Sequence, residues 1–272
     1  MIEMINLTEE QKLLNAQCEL LKRDFADLFA KKNDMLSFEE SLLTALYLNS
    51  IGKKHYQLYC LGGEISKIKH RIDLIQSCLN RNEYPDKEMI DQEIRKTFAE
   101  YQHKIDAESL RLAAAVDYLK GEFLSEDVTK KIRESYRLLV KKLHPDINPE
   151  GTEYEKDLFV KAQAAYELND LNVLNEILLS IHLDEPGEML VKPVHLKEFV
   201  AHLEHNVRKL RKQIEELDKR FPFSLREQLF DSEWLALEQE KLDEKILILQ
   251  KEKAKKNEHL IMLGLWKPES LN

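Results

Sequence analysis

Residues 125–152 read SEDVTKKIRESYRLLVKKLHPDINPEGT, and this stretch contains two helix starts separated by one helix end. Ser125 followed by two acidic residues is typical of a helix N-terminus, where side-chain oxygens and negative charge satisfy the free amides. Pro145 and Pro149 end that helix and keep the next residues in a loop. Thr152 begins a capping box for a second helix. The stretch therefore predicts two helices joined by a polar loop.

The first of these helices has one apolar side and one basic side. Its apolar side consists of Ile132, Tyr136, Leu139, Val140 and Leu143, and its basic side of Lys130, Arg133, Arg137 and Lys141. The second helix directs Phe159, Ala162, Ala165 and Tyr166 inward, and the small alanines allow a close approach. We expect an antiparallel pair with His144–Gly151 exposed at its tip.

Apolar stripes with helical spacing continue on both sides of this pair. Leucines recur every seven residues from Leu7 to Leu28, and a four-three pattern runs from Leu196 to Leu217. Ser37–Glu40 and Ser224–Glu227 resemble further capping boxes. The pattern predicts an all-α fold in which long antiparallel coiled-coil hairpins flank the central pair. The predicted segments are an N-terminal hairpin or bundle (1–122), the central unit with an extra short helix (123–183) and a C-terminal hairpin (184–272).

The composition excludes several classes of protein. With only 7 Gly and 7 Pro in 272 residues, the chain has too few turn-forming residues for an all-β fold. A formal net charge of −9 argues against nucleic-acid binding. We expect no signal peptide and no membrane span. Cys18, Cys60 and Cys78 lack CxxC spacing, which indicates reduced thiols and a cytoplasmic protein.

The central stretch resembles the J-domain (DnaJ) family of co-chaperones. Tyr136–Asp146 is similar to that family's second helix and its His-Pro-Asp tripeptide, and Phe159–Leu168 is similar to its third helix. The resemblance covers roughly residues 125–170. It implies that His144, Pro145 and Asp146, together with the basic side of the helix, bind a DnaK-type ATPase chaperone and stimulate its ATP hydrolysis. Asp146 would meet an arginine of that partner.

Two departures from the family pattern bear on this interpretation. Asp117–Glu122 stands where the family's first helix has a Tyr-rich, Leu-Gly-containing motif, so the end of the N-terminal hairpin would take the place of that helix. Asn169–Asn172 replaces the basic motif after the third helix. The zinc-binding repeats and the Gly/Phe-rich linker of other J-proteins are absent, which points to the specialised third class.

Three functions therefore remain open. The first is a co-chaperone whose helical hairpins bind clients or partners, and the second is a coiled-coil scaffold with a relic J-like unit. The third, a helical nucleic-acid-binding protein that uses the basic side, is disfavoured by the net charge. We expect no enzymatic activity and no cofactor, because the sequence shows no Gly-rich phosphate loop, nucleophile elbow or paired catalytic carboxylates. We expect no metal site, because His195, His202 and His205 lack zinc-site spacing. Oligomerisation through the coiled coils is left open.

Overall fold

A computed structural model of the chain describes residues 8–121, 123–183 and 195–263. Every regular element within these ranges is helical, which confirms the predicted all-α class. None of the helices in these ranges has the length and apolar character that crossing a membrane requires. In chain order the α-helices are α1 (Glu9–Asp34), α2 (Glu40–Tyr47), α3 (Lys53–Asn80), α4 (Lys87–Thr97), α5 (Ala99–Lys120), α6 (Glu126–Leu143), α7 (Glu153–Glu167), α8 (Leu171–Leu183), α9 (Leu196–Lys219) and α10 (Ser232–Met262).

The contacts divide the described residues into two units. Unit A consists of the described parts of Met1–Ser41 and Glu122–Ser224, and unit B of those of Leu42–Gly121 and Leu225–Asn272. This grouping differs from the three consecutive segments that the sequence predicted. Residues 184–194, with which the predicted C-terminal segment begins, lie outside the described residues.

The helices α1, α2 and α3 form one uninterrupted helical run. Thr8 and Gln11 make the predicted capping box at its start. The helix start predicted at Ser37 is wrong, because Ser37 lies inside a π-helical turn, Met35–Glu39, that joins α1 to α2. A second such turn, Leu48–Gly52, joins α2 to α3. Wide turns of this kind absorb an extra residue without ending a helix.

Unit A is built around α1, which packs against α6 on one side and along α9 on another. The apolar side of α6 is buried as predicted, and Tyr136, Leu139 and Val140 have no exposed surface. Helices α7 and α8 both pack against α6 and against each other. The predicted stripe of α9 is buried from Leu196 to Leu217, and its N-terminal part lies on Cys18 of α1.

Unit B is built around α3, which packs along α10 and also contacts α4 and α5. The helical sequence after Pro85 is divided at Phe98 into α4 and α5. Ser224 does not begin the last helix, because Asp231 caps α10 by accepting hydrogen bonds from Glu233 N (2.9 Å) and Trp234 N (3.1 Å). The predicted stripe of α9 is buried by α1, a helix distant in sequence, whereas Leu14, Leu21 and Leu28 of the α1 stripe are half-buried.

Candidate partner-binding site

The start of α6 follows the predicted pattern. Ser125 Oγ accepts a hydrogen bond from Val128 N (3.4 Å), and Glu126 and Asp127 occupy the first turn. The helix ends at His144, whose backbone is extended (φ −63°, ψ 130°). Since Pro145 follows and has no amide hydrogen, the helix does not continue.

The turn after α6 is tied to the end of that helix. The backbone amides of Ile147 and Asn148 both donate to His144 O, each over 2.9 Å. The side-chain amide of Asn148 donates to the carbonyls of Lys141 (3.3 Å) and Lys142, which the helix end leaves without intrahelical partners. Ile147 is buried in the core, whereas Pro145 is exposed and Asp146 is half-buried. The turn therefore has a fixed conformation and presents Pro145 to solvent.

His144 is buried, which corrects the expectation of an exposed loop residue. Only 9% of its surface is exposed. Its ring packs edge-on against Phe25 and Phe29 of α1 and Phe159 of α7, with ring centroids 4.8, 4.5 and 4.9 Å away. The sequence could not show this, because the first two phenylalanines lie more than a hundred residues earlier in the chain.

The surroundings of His144 favour its neutral form. Nδ1 accepts a hydrogen bond from Asp146 N (3.0 Å), so we assign the proton of the neutral ring to Nε2. Burial lowers the pKa of His144 to about 4, and the opposing attraction of Asp146 is smaller. Burial has this direction because a charged imidazolium loses its hydration among apolar rings. At neutral pH the ring is uncharged.

Three of the four predicted cations on α6 form ion pairs with α1. Arg133 Nε lies 2.7 Å from Asp34 Oδ2, Arg137 Nε 3.6 Å from Asp27 Oδ1, and Lys141 Nζ 3.2 Å from Glu19 Oε2. The pairs run in antiparallel order along the two helices. Lys130 is exposed and has no acidic partner among the described residues. The basic side of α6 is thus paired with an acidic side of α1, while about half of each arginine side chain stays exposed.

A second polar cluster fixes the opposite end of the α1–α6 contact. Tyr166 OH donates to Asp34 Oδ1, and Asn33 Nδ2 donates to Tyr136 OH (2.7 Å). The two tyrosine rings stack with centroids 4.0 Å apart. Burial raises the pKa of Tyr136 to about 12, and burial and the Asp34 carboxylate raise that of Tyr166. Both hydroxyls therefore stay protonated at neutral pH.

The residues that the sequence interpretation missed all belong to α1. Glu19, Asp27 and Asp34 follow one another at intervals of eight and seven, which places them on one side of a helix. That spacing is a signal for an acidic stripe, and it could have been matched to the cations of α6. Helix α1 also replaces Asp117–Glu122 as the neighbour of α6, because Asp117–Lys120 forms the last turn of α5 in unit B.

The turn and the basic side of α6 offer contacts to a partner surface. In the described ranges, no group of three or more His, Cys, Asp or Glu side chains is placed to hold a metal ion. His144 and Asp146 lie in a turn that can contact a partner protein. The cations of α6, the helix before this turn, can attract an acidic surface. No family model matches the chain, and neither a curated protein nor a solved structure matches it.

Proposed function

We propose that the protein is a J-domain-like co-chaperone that stimulates ATP hydrolysis by a DnaK-type chaperone. The observation that carries the proposal is the position of the His144–Pro145–Asp146 turn, which directly follows the basic side of α6. One partner surface can therefore contact the turn and the cations together.

Each part of this site has a separate task in the proposal. The cations attract an acidic chaperone surface and act mainly on the rate of encounter. Exposed Pro145 and half-buried Asp146 make the short-range contacts, and the Asp146 carboxylate receives a partner arginine. His144 holds the turn by accepting the Asp146 amide hydrogen. The chain itself performs no reaction, and the ATP is hydrolysed by the partner.

The rest of the chain would select the client or the location. In this proposal the long helices outside residues 123–183 bind a client or a second partner, and the protein works in the cytoplasm beside its chaperone. Neither nucleic acid nor membrane enters the proposal, because the net charge is −9 and the helices are amphipathic.

One observation favours the second candidate, a helical scaffold with a relic J-like unit. His144 is buried and three cations are already paired within the chain, as a purely structural role would require. A scaffold would use these contacts only to hold α1 on α6. The two candidates differ in a single measurable property, which is the effect on a chaperone's ATPase.

The test is single-turnover ATP hydrolysis by a purified DnaK-type chaperone across a concentration series of the full chain. Asp146→Asn removes the charge that the proposal assigns to the partner arginine, and we expect stimulation to fall at least about tenfold. Glu150→Gln is the matched control, since it removes one exposed negative charge from the same turn and should leave stimulation unchanged. Equal stimulation by both variants would contradict the assignment of Asp146. No stimulation by the parent chain or by either variant would favour the scaffold.

A further inference from the structure

The side of α6 that the chaperone would use is already occupied by α1. Arg133, Arg137 and Lys141 are each paired with a carboxylate of α1. An acidic partner that takes the positions of these three carboxylates competes with α1 for the same cations.

We infer that α1 acts as an internal competitor of the DnaK-type chaperone. While α1 is in place, the J-like unit (residues 123–183) is closed, with its cations paired and His144 covered. This inference rests on the proposed function and adds a form of regulation to it. The occupant is a named segment of the same chain, Glu9–Asp34, and its acidic side imitates the charge of the partner surface that it excludes.

The aromatic contacts point to the same conclusion independently of charge. Phe25 and Phe29 cover His144 from the α1 side. A partner can reach the imidazole only when these two rings have moved away. Displacement of α1 would therefore expose His144 and free the three paired cations in one step.

The ion pairs are the weak part of the closed contact, whereas Phe25, Ala26 and Ala30 of α1 are buried in the core of unit A. The paired side chains are partly exposed, at 46% for Arg133, 48% for Arg137 and 36% for Lys141. Ion pairs with this degree of exposure contribute little, because water and salt screen them. Lys130 and Pro145 stay exposed in the closed state, so the partner has a place for first contact before α1 leaves.

The experiment compares two double charge reversals on α1. Glu19→Lys/Asp27→Lys replaces two attractions toward α6 by repulsions. Glu10→Lys/Asp24→Lys is the matched control, because these carboxylates pair with Lys197 and Arg211 of α9 (2.6 and 2.9 Å). Both variants change the net charge of the same helix by the same amount. Circular dichroism checks that each remains helical.

Two readouts separate the inference from the proposed function. The first is the rate at which diethyl pyrocarbonate modifies His144, mapped by peptide mass spectrometry without any chaperone. The second is the affinity of the full chain for a purified DnaK-type chaperone. We expect the α6-facing reversal to raise the modification rate of His144 and the affinity for the chaperone by about tenfold each, because it removes two weak ion pairs and adds repulsion. The control should change neither the rate nor the affinity.

Each outcome decides one of the two claims. If the α6-facing reversal exposes His144 and strengthens chaperone binding, α1 is a competitor. If the parent chain binds the chaperone as tightly as this variant, competition by α1 is overturned while the co-chaperone function stands. If His144 becomes exposed and no form binds the chaperone, the proposed function fails and α1 is only a structural cover. If both reversals act alike, the effect is one of net charge, and competition at α6 is overturned.

Discussion

The imidazole of His144 and the ring of Phe29 meet edge to face, with centroids 4.5 Å apart and planes at 73°. This contact joins the turn after α6 to α1, which begins at Glu9. It helps to bury the imidazole, and burial lowers the pKa of His144. The exposure of His144 therefore depends on the position of α1. The stability and the proposed activity of the protein are therefore linked through this pair.

Removing the Phe29 ring should change the titration of His144. Phe29→Ala opens one wall of the apolar pocket, so the pKa of His144 should rise from about 4 toward its ordinary value of 6.5. The measurement is an NMR titration of the histidine ring protons, with His144→Gln used to assign the signal. Leu20→Ala, which alters an exposed residue of the same helix, should leave the signal unchanged.

Stability should fall as the solution is acidified, because the lowered pKa of His144 means that the unfolded chain binds its proton first. The contribution of the neutral ring is complete above pH 6.5 and is lost as the pH falls toward about 4. Between pH 7 and pH 5 we expect a loss of about 2 kcal/mol from this group. Denaturant unfolding gives the free energy of unfolding of the parent and of His144→Gln at both pH values. The contribution of His144 is the difference between the two proteins in how much this free energy changes with pH. Parallel pH profiles would show that His144 is not buried in solution.

The same burial changes the expected effect of His144→Gln on stability. Replacing an exposed loop residue would lower the free energy of unfolding by no more than about 0.5 kcal/mol. A ring held among three phenylalanines should instead cost about 1–3 kcal/mol when replaced by a polar amide. Unfolding at pH 7 distinguishes the two values.

Local signals explain which parts of the fold could be predicted. Ser125, Thr152 and the prolines act within a few residues, so the limits of α6 and α7 follow from the sequence. The partner of a stripe is not a local property. Tyr166 and Asp34 form their hydrogen bond across 132 residues, and no spacing rule identifies such a pair.

The candidate site was therefore predicted only in part. Lys130, Arg133, Arg137 and Lys141 could be placed on one side of α6 because helical periodicity fixes it. Their covering by α1 depends on tertiary packing, and so does the burial of His144. A pattern of cations predicts an electrostatic surface, but it does not say whether that surface faces water or another helix.

The Tyr166–Asp34 hydrogen bond should contribute measurably to the contact between α1 and the J-like unit. Tyr166→Phe keeps the stacked ring and removes the donor to a carboxylate, so we expect a loss of about 1–3 kcal/mol. Tyr154→Phe alters an exposed tyrosine on the same helix and should cost less than about 0.5 kcal/mol. Thermal or denaturant unfolding of the two variants makes the comparison. A Tyr166→Phe variant as stable as the control would mean that the hydrogen bond contributes nothing.

Two adjacent glycines of α3 should respond in opposite ways to alanine. A Cβ on Gly62 would meet nothing within 4 Å, so Gly62→Ala should stabilise the helix by up to about 1 kcal/mol. A Cβ on Gly63 would overlap with Cε1 of Tyr101, whose ring stacks on Tyr59. Gly63→Ala should therefore destabilise by about 1–3 kcal/mol. Equal unfolding midpoints for the two variants would contradict this packing of α5 on α3.

The most direct test of the central claim is ATP hydrolysis by a DnaK-type chaperone in the presence of the chain with α1 displaced. Glu19→Lys/Asp27→Lys should stimulate single-turnover hydrolysis more strongly than the parent chain, and adding Asp146→Asn to it should abolish the gain. If the displaced chain leaves the hydrolysis rate at its basal value although His144 has become accessible to modification, the protein is not a co-chaperone of that partner.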